Sequence, residues 1–136
     1  MNNCIFCQIV QGKIPCQKIY ESEHVLAFLD IAPVNKGHAL IIPKGHYPTI
    51  FELPLDLGQE LILAMQKVGK GLLTALNASG LNIGMNNYEA AGQLVHHAHW
   101  HLIPRYKDDG LKLWPQHKYS DAQEMEQYAQ KIKAKI

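Results

Sequence analysis

Between Pro54 and Leu76 the apolar residues Leu57, Leu61, Met65, Val68, Leu72 and Leu76 recur at steps of three and four. That stripe predicts one long helix with a single buried face, and the face needs a sheet to cover it. Short apolar runs stand on both sides. Lys18–Glu21, His24–Leu29 and His38–Pro43 precede the helix; 81–86 and 94–103 follow it. Most gaps between them are too short for parallel crossovers, which predicts an antiparallel α+β sheet of about five strands. A short helix is expected over Cys4–Val10, stopped by Gly12 and Pro15, and a loop over Asp30–Gly37. A final amphipathic helix is expected over Asp121–Lys133 with Ser120 as its cap. Gly69 and Gly71 weaken the long helix, so close packing is expected at both.

The chain has 136 residues and 15.3 kDa, which fits one domain, 1–136. Thirteen basic and 12 acidic side chains give a net charge of +1. That balance argues against a nucleic-acid backbone or an anionic membrane as partner. No apolar run approaches the roughly 20 residues of a membrane span. The start of the sequence has neither the basic residues nor the apolar stretch of a signal peptide. Three cysteines (Cys4, Cys7, Cys16) suit a reducing compartment, so a cytoplasmic location is expected.

Histidine is the unusual component. Eight occur, and four fall between His96 and His101. Read as a strand, this segment puts His97, His99 and His101 on one face and Ala98, Trp100 and Leu102 on the other, against the long helix. Three imidazoles are a poor choice for a core, because buried polar groups need partners. They are also a poor single metal site, since positions four apart on a strand lie about 13 Å apart. A neighbouring pair fits one ion. The other option is separate roles as nucleophile, proton handler and support, for which imidazole is suited once its second nitrogen keeps a proton on a fixed acceptor. Cys4-x-x-Cys7 is ambiguous alone: a redox pair, half of a zinc site or two buried thiols.

The segment 97–103, preceded by Gly92-Gln93 and followed by Pro104-Arg105, resembles the histidine triad (HIT) superfamily of nucleotide hydrolases and transferases. The resemblance extends upstream through 4–10, 27–31, Gly37-His38 and 43–46, in the order of the bacterial and Hint-like members. It implies a HIT-like sheet, and a homodimer that joins two such sheets. It implies attack by His99 on the α-phosphate of a purine nucleotide, with His101 handling the leaving-group proton and His38 as a further active-site histidine. Gln93 and backbone N–H groups would stabilise charge on the phosphoryl oxygens. Asp30 would accept the ribose hydroxyls. Ile5, Phe6, Phe28, Ile31 and Leu40 would wall the base, with Asn86 and Gly92 near the phosphate. For Cys4 and Cys7 it implies a structural zinc completed by His46 and His97, and no catalytic metal. Cys16 matches nothing and reads as a free thiol.

Two departures stand out. Many family members carry Ser or Thr after Gly-Gln, where this chain has Leu94. Leu94 supplies no hydrogen bond to a leaving group, which favours dinucleoside polyphosphates over phosphoramidates as substrates. The extra His96 faces away from the triad. The tail, Leu111 to Pro115, resembles the bacterial branch, whose C-terminal segments help define the partner subunit's pocket. Two rival readings remain at this level. One is a zinc-stabilised nucleotide-binding or scaffold protein, which would keep its function without His99. The other is a zinc hydrolase with His99 and His101 as ligands, which would lose activity on chelation.

Overall fold

The computed structural model describes residues 3–136. In chain order the elements are α1 (Ile5–Val10), β1 (Lys18–Glu21), β2 (Val25–Leu29), β3 (Ala39–Pro43), α2 (Leu57–Ala75), β4 (Gly80–Met85), β5 (Trp100–Arg105) and α3 (Ala122–Lys133). The five strands form one antiparallel sheet in the order β1-β2-β3-β5-β4.

The stripe on α2 does what its spacing predicts. Leu61, Val68 and Leu72 are buried against Val25, Ala27, Ala39, Ile41, Trp100 and Leu102, alternate residues from three strands. Glu60 ties α2 to the β1–β2 turn by accepting from the His24 N–H at 2.9 Å and from the Ser22 hydroxyl. Gly69 is a true close approach: a Cβ there would lie 2.9 Å from Leu81 Cδ2. Gly71 has open space around it, so the expected close packing is absent there.

Strand pairing aligns Phe28 with Leu40, Leu40 with His101 and His101 with Gly84. These residues form one row across the face opposite α2. Beside that row, Leu26, Phe28, Leu40 and Ile42 pack against Phe6 of α1. One sheet face therefore makes the core, and the other makes a floor for α1 and the histidines.

Two local expectations are corrected. The segment before Trp100 is not strand. His97 N–H bonds to Val95 O and Ala98 N–H to Tyr47 O, and the ladder with β3 begins only at Trp100 opposite Ile41. The cap of α3 is Asp121, which accepts from the Glu124 N–H at 2.8 Å, while Ser120 bonds the Glu124 carboxylate.

Candidate active site and metal centre

Because 94–99 leaves the sheet, His97 and His99 do not sit in a simple row with His101. Both are buried, and backbone carbonyls fix their rings. A carbonyl oxygen can only accept, which settles the position of each proton. His97 Nε2–H donates to Pro43 O at 2.8 Å, leaving the Nδ1 lone pair free. His99 Nδ1–H donates to His97 O at 2.7 Å, leaving the Nε2 lone pair free.

The free Nδ1 of His97 faces sulfur. It lies 3.4 Å from Cys4 Sγ and 3.6 Å from Cys7 Sγ, and His46 Nδ1 lies 3.2 Å from Cys7 Sγ. All four donor atoms fall within 4.8 Å of one another. Ligand atoms around a tetrahedral zinc are roughly 3.3–3.8 Å apart, so the set fits a closed Cys2His2 site. The His97–Pro43 bond is the kind of outer support that orients a metal-binding imidazole. Burial, then the Cys4 sulfur, raises the Cys7 thiol pKa. Cys4 accepts from the Cys7 N–H as the α1 cap, so the helix start presents both sulfurs.

A second cluster has the opposite polarity. Val34 N–H donates to His38 Nδ1 at 3.1 Å, so neutral His38 carries its proton on Nε2. That nitrogen lies 2.9 Å from His101 Nδ1 and 3.8 Å from Asp30 Oδ2. With Nδ1 as acceptor, neutral His101 keeps its proton on Nε2 and is an outward donor. Burial is the main influence on all three imidazoles of the site and lowers His38 and His99. His101 falls furthest, to about 4, through burial followed by His99 and His38. All three are therefore neutral at pH 7.

Most of the expected pocket comes together. Phe6 meets Phe28 and His99 edge-on, with centroids 5.6 and 5.1 Å apart, and Leu40 lies beside His101 in the sheet. Asp30 sits at the His38 edge and also accepts the Ala32 N–H at 2.8 Å. Gly92, at φ +93°, packs against Asn86, where a Cβ would lie 3.4 Å from the amide nitrogen. Ile5 is exposed at the rim. Ile31 is 99% exposed, so it is no core residue and does not pack with Phe28 and Leu40 here. Leu94 is also exposed and His96 points to solvent.

Gln93 departs from its expected part. Its amide N–H groups donate to Pro48 O at 2.6 Å and Val95 O at 3.1 Å, and its oxygen accepts from Tyr88 N–H. With those groups committed, Gln93 holds the loop before His97 and does not present its amide to a phosphoryl oxygen. Tyr88 itself takes φ +70°, a left-handed position this bonding stabilises.

Sequence reasoning missed two features. Val34 acts through its main-chain N–H, which no side-chain pattern reveals. Arg105 and Asp109 form a clasp, Nε to Oδ2 at 2.7 Å, that also takes in Asn35 and the backbone of Leu111. Their four-residue spacing resembles any surface pair.

An antiparallel five-stranded sheet on one long helix, with three buried or half-buried histidines beside its open face, is an architecture of the histidine triad kind. The HIT domain model matches residues 11–108, and the chain belongs to that family. It is 48% identical over 117 residues to Protein hit of Bacillus subtilis, covering 85% of this chain and 81% of that one. It is 40% identical to adenosine 5'-monophosphoramidase hnt1 of Schizosaccharomyces pombe, covering 98% of each. A solved HIT-family structure from Bacillus subtilis superposes with a TM-score of 0.90 at 41% identity, covering 98% of this chain and 97% of that one.

Proposed function

We propose that the protein is a nucleotide hydrolase that opens a purine nucleotide at its α-phosphate through a nucleotidyl-His99 intermediate. One observation carries this reading: the His99 Nδ1–H is held by the His97 carbonyl at 2.7 Å, so Nε2 keeps a lone pair for attack. Burial lowers the His99 pKa and keeps that lone pair unprotonated. The His38–His101 pair directs an Nε2–H outward, suited to a phosphoryl oxygen or a leaving group. Asp30 would take the ribose hydroxyls, Phe6, Phe28 and Leu40 would floor the base, and Asn86 and Gly92 would border the phosphate. The phosphoramidase name of the fission-yeast relative supports the reaction class.

Cys4, Cys7, His46 and His97 would hold a structural zinc. Such an ion, when bound, ties α1 to the segment that carries His99. No step of the chemistry needs a metal. Exposed Ile62, Leu63 and Leu73 on α2 support pairing of two chains into a homodimer. Three cysteines outside any disulfide fit the cytoplasm, and no helix among the described residues is long and apolar enough to cross a membrane.

The test is a product assay with adenosine phosphoramidate and diadenosine polyphosphates, using wild type and His99→Ala of equal zinc content. AMP released by wild type and not by the variant supports the reading. Binding of AMP by both, with turnover by neither, would replace the enzyme by a binding protein.

A further inference from the structure

The catalytic row does not end at His101. A cavity of about 550 Å³ continues from His38, His101 and Asn86 along β4 and β5 to the tail, Leu111 to Pro115. Its walls are apolar at Ile83, Ile103, Leu113 and Trp114, and among the described residues no carboxylate lines it. Two cationic side chains do, Arg105 and Lys112.

Their situations differ. Arg105 is spent: Nε and Nη2 hold the Asp109 carboxylate at 2.7 and 3.1 Å, and Nη1 donates to Asn82 Oδ1 at 2.6 Å. Lys112 has no ion pair among the described residues. Its place is nevertheless built, because its neighbour Leu111 is held from both sides. Arg105 Nη2 donates to Leu111 O at 3.1 Å, and Asp109 Oδ1 accepts Leu111 N–H at 3.0 Å. The clasp thus fixes the backbone beside Lys112, an exposed lysine that lines a cavity opening on the proposed proton donor.

Resting on the proposed function, we infer that this cavity is the leaving-group site and that Lys112 selects an anionic leaving group, a phosphate chain in preference to a neutral amine. In the transfer step a bond forms between His99 Nε2 and the α-phosphorus as the bond from that phosphorus to the bridging oxygen breaks. The electron pair stays on the bridging oxygen, so the departing chain of phosphates gains a negative charge. Water then displaces His99, releasing the nucleoside monophosphate. The Lys112 ammonium stabilises the charge that builds on the departing phosphates. A neutral amine takes a proton as it leaves and gains nothing from Lys112.

The experiment compares kcat/KM for diadenosine tetraphosphate and for adenosine phosphoramidate in wild type, Lys112→Met and Lys112→Arg. Loss of one charge-assisted contact predicts that K112M lowers the tetraphosphate value about tenfold. The phosphoramidate value should stay within about twofold, which also shows that the variant is folded, and K112R should restore the tetraphosphate value. Equal loss on both substrates, or no loss on the tetraphosphate, overturns the inference. Wild type inactive on both substrates overturns the functional reading itself, and this inference with it.

Discussion

Two clusters in this protein look alike by composition and distance. Cys4, Cys7, His46 and His97 form one; Asp30, His38 and His101 form the other, and each gathers its donor atoms within 4.8 Å. They differ in what the backbone offers to the far nitrogen of the buried histidine. His97 meets a carbonyl, so its inner nitrogen is a lone pair ready for a metal. His38 meets the Val34 N–H, so its inner nitrogen carries a proton and is a poor ligand. A single backbone group of opposite polarity thus suits one cluster to metal binding and the other to proton transfer. Residue identity and spacing do not separate the two.

The largest effect expected is on turnover. His99→Ala should lower hydrolysis at least ~1,000-fold, because the proposed mechanism routes the transfer through His99 Nε2. Zinc content should be unchanged, since His99 belongs to neither cluster; loss of zinc with turnover would break the comparison.

Chelation should act on the other side. If zinc fills the Cys4–Cys7–His46–His97 set as proposed, removing it, or Cys7→Ser, should lower the melting temperature by roughly 10 °C in calorimetry, because a metal held there would tie α1 to the 94–99 segment. His38→Gln should leave one zinc per chain by elemental analysis. Two zinc ions per wild-type chain and one in this variant would contradict the assignment.

His101→Asn should slow turnover about 100-fold. It should also change how stability depends on pH. His101 titrates near 4 in the fold, against about 6.5 unfolded, so between those values the unfolded chain binds more protons. The stability tied to a neutral His101 is complete above about pH 6.5 and is lost as pH falls toward 4. Unfolding free energies from urea melts at about pH 7 and about pH 4.5 should therefore differ less in the variant, by roughly 2 kcal/mol.

Gly37→Ala is the mildest test. Gly37 precedes His38 at φ +96°, and a Cβ there would fall 2.3 Å from Leu76 Cδ1. The expected cost is about 2 kcal/mol in urea melts, with turnover reduced and zinc binding kept.

The periodic parts of this fold were legible in the sequence. The stripe from Leu57 to Leu76 named the helix, and short apolar runs named the strands, because burial on one face writes a period into the chain. The 94–99 segment was misread for a related reason. His97 and His99 alternate with Ala98 as strand residues would, yet the backbone there is irregular: the His97 ring is held by the Pro43 carbonyl at the end of β3 and the His99 ring by the His97 carbonyl. Alternation records burial, and burial here does not come from a ladder. The ordered resemblance singled out histidines that the fold brings together, but not their proton positions, which depend on Pro43 O, His97 O and Val34 N–H. Gln93 shows the same limit, since only the fold reveals that its amide is committed to Pro48 and Val95.

The most direct measurement is the 15N spectrum of the histidine rings, recorded with and without zinc. The account predicts His99 protonated at Nδ1, His38 and His101 protonated at Nε2, and zinc-dependent shifts centred on His46 and His97. A proton on Nδ1 of His38, or zinc coordination at His38 or His101, would contradict it.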